Sequence, residues 1–265
     1  MAGAHSEGMG LSKIDRRTLS DAVFDQLSRE IVDGRMEPGA LLPSERELVQ
    51  VLGVNRGAVR EALKRLAQSG LVQIQQGGGT RVLDYRQSAG LDLLGSLMVR
   101  GDGEVDVRVA RSVMEMRSAL ARDVARLAAE RRTEAAIVAL AARVESMSKT
   151  DDLGQLQVLA LEFWDVLVEA SDNVAYRLAF NTLRDTYELI RGALVIVMAD
   201  EVSDLDGHRA VLSAIEARDA DRAHRAAAAL VQRGAARVFD LLDALAAEQE
   251  SPHTQSKDPS EGASS

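Results

Sequence analysis

The hydrophobic period changes from helical to alternating within residues 44–83, which predicts helices followed by a β-hairpin. Ser44 and Glu47 have the spacing of a capping box, which predicts the start of a short helix. Asn55 follows a tight Gly-Val turn and is a suitable N-cap for another helix, which Gly70 would end. Two short helices joined in this way predict a helix–turn–helix.

Alternation replaces the helical period after the second of these helices. Residues 71–75 read LVQIQ, residues 76–79 form a Gln-Gly-Gly-Gly turn, and residues 80–83 continue as TRVL. This pattern predicts a β-hairpin, which would be the wing of a winged helix. An earlier amphipathic helix, predicted from about Leu19 to Asp33 with Ser20 as its N-cap, would complete the domain.

The charge is unevenly distributed along the chain. Residues 1–84 carry 11 basic and 11 acidic side chains, whereas residues 85–265 carry 21 basic and 30 acidic ones, so the net charge of −9 lies in the second part. Residues 55–81 hold five basic side chains against one acidic side chain. Most charge runs are simply solvated, but this one coincides with the predicted helix–turn–helix and is compatible with nucleic acid.

The second helix of the motif has the side chains that a recognition helix needs. Such a helix enters the major groove with its N-terminal turn leading, and here that turn contains Arg56 and Gly57, followed by Arg60. Arginine can bind the O6 and N7 atoms of guanine, and glycine allows the backbone to approach DNA closely. Lys64 and Arg65, further along the helix, are either solvated or directed at phosphate.

Residues 19–84 resemble the DNA-binding domain of the GntR family of bacterial transcription regulators. The resemblance rests on four ordered runs, Leu41–Leu48, Leu52–Arg56, Val59–Leu63 and Leu66–Leu71. In that family, the residues that touch DNA correspond to Arg46, Asn55, Arg56, Gly57, Arg60, Gln76 and Gly77. The resemblance implies a homodimer on a palindromic operator in double-stranded DNA, which agrees with the symmetry of such complexes.

Helical periodicity dominates the remainder of the chain. We predict helices at about residues 90–98, 106–130, 134–149, 152–171, 174–199, 202–218 and 219–246. The fold class is therefore mainly α, a winged helix–turn–helix followed by an antiparallel all-helical bundle. The predicted organisation is a disordered tail (1–17), the winged helix–turn–helix domain (18–84), a linker (85–90), a helical effector-binding and dimerisation domain (91–248) and a second disordered tail (249–265).

The second part resembles the FadR subgroup of the same family, whose effector domain is a helical bundle. The matching pieces include Leu91–Leu94, Val113–Leu120, Glu169–Asn173 and Asp206–Ala210. Many members of the subgroup bind a divalent metal through an Asp, a His four residues later and two further His. Ala160 and Trp164 occupy the first two of these positions, and of the later His only His208 is kept. One imidazole is too few ligands for such a metal, so we predict no metal site.

The loss of the Asp and His makes the predicted pocket apolar, which favours a lipophilic ligand. The resemblance to fatty-acid-responsive members implies a long-chain acyl-CoA or fatty acid as effector, and no other cofactor. The effector-binding residues predicted on this basis are Arg117, Trp164, Tyr176, Tyr187, Arg191 and His208. A small carboxylate or a sugar acid is the alternative effector. Each of the two arginines could instead form a structural salt bridge, and Trp164 and His208 could be ordinary core residues.

Other classes of protein are disfavoured by what the sequence lacks. It contains no cysteine, which removes disulfides and thiolate metal sites. The longest apolar run, Ala193–Ala199, has seven residues, far below the roughly 20 that span a bilayer, so no membrane partner is expected. The first residues lack the apolar core of a signal peptide, and we expect a cytoplasmic protein. No catalytic constellation is legible, so an enzyme is not expected.

Overall fold

The computed structural model describes residues 18–75, 77–99 and 103–250, and their backbone is mainly helical. The chain divides into two compact units, with the division after Ser96. The predicted fold class is confirmed, since the first unit is a winged helix–turn–helix with a small antiparallel sheet and the second is helical. Residues 1–17 and 251–265, which we predicted to be parts of disordered tails, lie outside the described residues.

The first unit begins with the helices α1 (Leu19–Val32), α2 (Glu45–Leu52) and α3 (Arg56–Gln68). Our prediction that Ser20 caps α1 is wrong, because Thr18 is the N-cap. The Thr18 N–H donates to Oδ2 of Asp21 at 2.8 Å, and the Asp21 N–H donates to Oγ1 of Thr18 at 3.2 Å. This reciprocal pair satisfies two free N–H groups, so the helix begins before Ser20.

The predicted caps of the next two helices are confirmed. Ser44 and Glu47 form the capping box of α2, and Oδ1 of Asn55 accepts the N–H of Ala58 at 2.9 Å to start α3. Gly53 ends α2 in the left-handed region at φ 64°, a conformation that costs glycine little. These caps fix the short turn between α2 and α3.

The predicted wing is a hairpin of β1 (Val72–Gln75) and β2 (Gly79–Val82). The strands are antiparallel, and their register places Val72 opposite Val82. The segment before α2 runs beside β2, since the Leu42 N–H donates to the Thr80 carbonyl at 2.8 Å. The hairpin is thereby attached to the helical part of the unit through its second strand.

Packing of α3 against α1 forms the core of the first unit. The buried apolar side chains of α3 are Ala58, Val59, Ala62, Leu63 and Leu66. Arg65 contacts its own unit, since its guanidinium lies 4.4 Å from the Phe24 ring centre and 2.5 Å from Oδ1 of Asp21. It joins α3 to α1.

Residues 85–90, which we predicted as a linker, contain the short helix α4 (Tyr85–Ser88). The hydroxyl of Ser88 donates to the Gly70 carbonyl at 2.6 Å, so α4 is fastened to the end of α3. Gly70 has φ 71°, and a Cβ there would overlap the backbone of Ser88. Only glycine satisfies both conditions at this position.

A 3-10 turn (Leu91–Leu93) and α5 (Leu94–Met98) span the division between the units. The second unit continues with α6 (Val107–Arg131), α7 (Glu134–Met147), α8 (Leu153–Ala170), α9 (Val174–Leu194), α10 (Ala199–Val202), α11 (Leu205–Glu216) and α12 (Ala220–Glu250). Its most extensive helix contact is between α6 and α12, while α8 packs on α6 and α11 packs on α6, α7 and α12.

The helix predicted over residues 174–199 is wrong, because α9 ends at Leu194 and turns separate it from α10. The run Val195-Ile196-Val197 is β-branched, and such side chains lose rotamer freedom in a helix. The chain tightens there, and the Ala199 N–H donates to the Ile196 carbonyl three residues back. The next helix begins at Leu205, later than predicted, because Asp204 is its N-cap. No helix within the described ranges is long and apolar enough to cross a membrane.

Candidate DNA-binding surface and effector cavity

The arginines predicted to enter the major groove are exposed at the start of α3. The Arg56 side chain is 72% exposed and that of Arg60 is 64% exposed. The apolar stripe of α3 faces α1, so positions 56 and 60, one turn apart, fall on the opposite side of the helix. Guanidinium groups placed here are accessible to base edges and to phosphate.

Glu45 at the start of α2 pairs with both of these arginines. Its Oε2 lies 3.2 Å from Nε of Arg56 and 3.1 Å from Nε of Arg60. Partial burial opposes ionisation, but the hydrogen bonds and charges of Arg60 and Arg56 lower the pKa of Glu45 below its ordinary value. Glu45 therefore stays ionised and holds the two guanidinium groups together. It is not among the residues predicted from the sequence, since it lies 11 and 15 residues from its partners.

The other predicted DNA-contacting residues of this motif are also exposed. Arg46 lies on α2. The side chain of Asn55 uses Oδ1 for the cap of α3, which leaves its amide N–H groups for other partners. A Cβ at Gly57 would lie 3.2 Å from that oxygen, so its absence keeps the first turn of α3 open.

The wing contributes less to the described surface. Gly77 is exposed in the turn between the strands, with φ 75°, whereas Gln76 lies outside the described residues. Arg81, on β2, donates to the carbonyl of Gly39 and is partly buried. Its guanidinium is therefore held against the backbone of its own unit.

The second unit contains a cavity of about 280 Å³. Side chains of α5, α6, α8, α9, α10 and α12 line it, and most of them are aliphatic or methionine. The apolar wall includes Met98, Met114, Leu120, Val124, Ala160, Leu161, Phe180, Ile190, Met198, Val231, Val238 and Leu242. Such a wall favours binding of an apolar molecule, because binding removes apolar surface from water.

A buried ion pair forms part of this wall. The guanidinium of Arg117 donates to both carboxylate oxygens of Glu201, with Nη1 3.2 Å from Oε2. Glu201 is buried, and burial raises its pKa although Arg117 and the Gly234 N–H act in the opposite direction. A Cβ at Gly234 would overlap the Glu201 carboxylate, so this glycine makes room for the pair.

The structure brings four of the predicted effector-binding residues into the cavity wall, Arg117, Trp164, Tyr176 and Tyr187. The Tyr176 hydroxyl donates to Oδ2 of Asp123 at 2.7 Å, and this hydrogen bond raises the pKa of Tyr176. Burial raises the pKa of Tyr187 to about 12. Both phenols are therefore neutral hydrogen-bonding groups near neutral pH.

The other two predicted effector-binding residues do not line the cavity. Arg191 is partly exposed and pairs with Glu188 of its own helix, with 3.1 Å between Nε and Oε2. His208 is fully buried, with Nδ1 2.8 Å from the Asp204 carbonyl and its ring edge against Phe163. Burial lowers the pKa of His208, so the ring is neutral and packs as part of the core.

Two polar groups of wall residues have no hydrogen-bond partner within the part of the chain that the structure describes. Nε2 of Gln157 and Nε1 of Trp164 are buried donors without an acceptor, and both residues line the cavity. Gln157 is not among the predicted residues. Gln157 precedes Trp164 by seven residues, so the two side chains lie on the same face of α8. This spacing could have identified Gln157 from the sequence.

Ala160 and Trp164, which the resemblance to the FadR subgroup places at metal-ligand positions, both line the cavity. Within residues 18–75, 77–99 and 103–250, no three His, Asp or Glu side chains are grouped so that they could hold a metal ion. These two positions thus present a methyl group and an indole, neither of which is a metal ligand.

Comparison with known families identifies both units. Residues 19–82 match the family described as bacterial regulatory proteins, gntR family, and residues 112–253 match the FCD domain. The chain is 37% identical over 241 residues to the HTH-type transcriptional regulator Mce2R of Mycobacterium tuberculosis, across 91% of this chain and 100% of Mce2R. It is 33% identical over 165 residues to the fatty acid metabolism regulator protein of Serratia proteamaculans, across 62% of this chain and 66% of that protein.

One solved structure agrees with this assignment at the level of the fold. The regulator Lar, described as controlling the agr system of Listeria monocytogenes, is similar with a TM-score of 0.55 and 16% identity, across 86% of this chain and 100% of Lar. The expected resemblance to GntR regulators with a FadR-like second domain is therefore confirmed. The chain is a member of the GntR family, a DNA-binding transcription regulator in which a winged helix–turn–helix precedes an FCD effector domain.

Proposed function

We propose that the chain binds a palindromic operator as a homodimer, and that a lipophilic ligand in the cavity changes its affinity for that operator. The ligand class is a long-chain acyl-CoA or a fatty acid, and the regulated genes belong to lipid metabolism. The observation that carries this proposal is the wall of the cavity, which consists mainly of aliphatic and methionine side chains. Similarity to proteins named fatty acid metabolism regulators supports it. The site of action is the cytoplasm.

The DNA-binding half of the proposal depends on the start of α3. Arg56 and Arg60 are exposed there, and Glu45 holds them side by side. Two such helices related by a two-fold axis match a palindromic site whose half-sites are one helical turn apart, or a multiple of a turn. Bidentate contacts to guanine would then give base preference, and contacts to phosphate would give affinity.

The ligand acts by binding one state of the protein better than the other. It can change operator affinity only by as much as its own affinity differs between the DNA-bound and DNA-free forms. A hundred-fold change in operator affinity requires about 2.7 kcal/mol of such coupling. Burial of an acyl chain in the cavity contributes more binding free energy than this coupling requires. Only a fraction of that binding free energy therefore needs to differ between the DNA-bound and DNA-free forms.

The test begins with selection of an operator from a random duplex pool by the full chain. Fluorescence anisotropy then measures operator affinity while palmitoyl-CoA, palmitate, a short dicarboxylate or a sugar acid is added. We expect the acyl compounds to shift operator affinity and the small acids to have no effect. A response to the small acids alone would refute the lipophilic ligand and favour the alternative effector, with Arg117 as its site. Sedimentation with and without operator tests the dimer.

A further inference from the structure

Large apolar side chains are exposed along one face of α9. Val174, Leu178 and Leu189 on this helix, and Ile196 just beyond its end, are between 61% and 82% exposed. Successive helical residues are about 100° apart around the axis, so these four positions fall within about 60° of one another. They form one row, which we call the α9 stripe.

The α9 stripe lies on roughly the opposite side of the helix from the residues of α9 that line the cavity. Those residues include Phe180, Leu183 and Ile190. A helix on the surface of a domain needs one apolar face, which packs on the core, and its other face is ordinarily polar. A second apolar face exposed to water is unfavourable, and such patches mark contacts with another molecule. Helix α9 therefore has the surface of a helix with two partners.

The cations on one flank of the α9 stripe are paired within the chain. Arg177 lies 2.7 Å from Oδ1 of Asp165, and Arg184 lies 3.7 Å from the same oxygen. Arg191 lies 3.1 Å from Oε2 of Glu188. Pairing leaves this flank close to neutral, so apolar contact is what the face mainly offers to a partner.

The α9 stripe has a polar centre between two apolar ends, and this order is self-complementary. Thr182 and Asp185 lie between Leu178 and Leu189 on the same side of the helix. The midpoint of the run falls between residues 183 and 184, and both pairs are placed symmetrically about it. A two-fold axis through this midpoint, perpendicular to α9, sets Leu178 opposite Leu189 of the partner subunit. It also sets Thr182 opposite Asp185 of the partner subunit, where the hydroxyl can donate to the carboxylate.

Other arrangements of two such helices fit less well. In a parallel pair equivalent residues meet, so Asp185 would lie against Asp185 of the partner subunit and the like charges would repel. Sliding the antiparallel pair by one heptad would set Asp185 opposite Ala175 or Leu189 of the partner subunit. Either shift covers a carboxylate with hydrocarbon and gives it no donor, which is unfavourable.

We propose that α9 packs against α9 of a second copy of the chain, in antiparallel orientation, with the two-fold axis between residues 183 and 184. This inference rests on the homodimer of the proposed function and assigns the surface through which it forms. The apolar ends of the α9 stripe supply the burial, and the two Thr182–Asp185 contacts at the centre fix the register.

Sedimentation velocity of the full chain without DNA, over a range of concentrations, tests this surface. Leu178→Glu places a carboxylate against Leu189 of the partner subunit at two symmetric positions. We expect it to raise the dissociation constant of the dimer at least about a hundredfold, equivalent to about 2.7 kcal/mol. Leu178 is exposed in the single chain, so the variant should keep its helical circular dichroism spectrum. Val138→Glu, at an exposed apolar position of α7, is the matched control and should leave the dimer unchanged.

An exchange of charge tests the register. Leu189→Lys alone should weaken the dimer about as much as Leu178→Glu. An equimolar mixture of the two variants should form mixed dimers, because the new carboxylate of one chain then faces the new ammonium group of the other, while the remaining leucines still meet. The two positions are about 16 Å apart along α9, so the new groups cannot pair if both substitutions are made in one isolated chain.

Three results would overturn the inference. Leu178→Glu may dimerise as tightly as the unmodified chain, the mixture may associate no better than either variant alone, or the unmodified chain may be monomeric at every concentration without DNA. The first two would leave the homodimer of the proposed function in place on another surface. A chain that stays monomeric on its operator as well would refute the homodimer itself.

Discussion

Removal of Arg117 tests the buried ion pair of the second unit most directly. The Glu201 carboxylate is buried, and Arg117 is the cation that contacts it. Arg117→Met leaves this charge without a partner, a change that costs about 3–5 kcal/mol when the pair is fully buried. The Arg117 side chain is 24% exposed, so water screens the pair in part, and we expect a loss at the lower end, about 3 kcal/mol.

The loss of folding stability in Arg117→Met should depend on pH, and the pKa of Glu201 determines the direction of this dependence. Burial already raises the pKa of Glu201, and removal of Arg117 raises it further. Above the ordinary glutamate pKa, Glu201 is deprotonated in the unfolded chain but still protonated in the folded variant. The free energy of unfolding of the variant therefore falls as pH rises above that pKa. The difference between Arg117→Met and the unmodified chain should therefore be small at mildly acidic pH and largest at alkaline pH.

Urea denaturation followed by Trp164 fluorescence measures this, because the single tryptophan reports the second unit. Arg117→Met combined with Glu201→Gln should recover most of the stability, since no uncompensated charge remains. Arg237→Met, which removes an exposed pair with Asp200, is the control and should not move the midpoint. An unchanged midpoint for Arg117→Met at alkaline pH, or equal losses for the single and the double variant, would refute the reasoning.

Four further substitutions have distinct expected results. Arg56→Ala should weaken operator binding and relax base preference by about 1–3 kcal/mol, measured by anisotropy on operator variants; unchanged affinity would refute the groove assignment. Lys64→Ala should weaken binding on every sequence alike and reduce the salt dependence by about one unit of slope. Asn55→Ala removes the acceptor for the Ala58 N–H and should cost about 1 kcal/mol in urea denaturation followed by circular dichroism. Gln157→Leu should raise the melting temperature of the ligand-free chain, because it removes an unpaired buried amide; a lower value would mean that the amide has a partner.

Local signals were sufficient for much of the first unit. The caps at Ser44 and Asn55 and the glycine turn of the wing are formed by neighbouring residues, so their spacing alone predicts them. The cap of α1 was misplaced because three residues able to cap a helix, Thr18, Ser20 and Asp21, stand close together. The reciprocal hydrogen bonds between Thr18 and Asp21 identify Thr18 as the N-cap.

Partners that are distant along the chain could not be predicted in the same way. Periodicity shows which face of a helix is apolar, but not which residue of another helix meets a given side chain. Glu45 with its two arginines, and Glu201 with Arg117, are of this kind. For the same reason, the sequence could not show that Arg191 and His208 lie outside the cavity wall. Arg191 pairs with Glu188 on its own helix, and Nδ1 of His208 contacts the carbonyl of Asp204, the N-cap of α11.

The methionines of the cavity wall have a consequence for how finely ligands are distinguished. Met98, Met114 and Met198 all line the cavity. Methionine is unbranched and polarizable, so it changes rotamer at little cost and fills space left by a shorter chain. The three methionines therefore make the cavity tolerant of ligand length where they lie, while the branched side chains that form most of the wall keep a more fixed shape. If the effector is the acyl compound proposed above, the regulator would then respond to several chain lengths and not to one homologue alone.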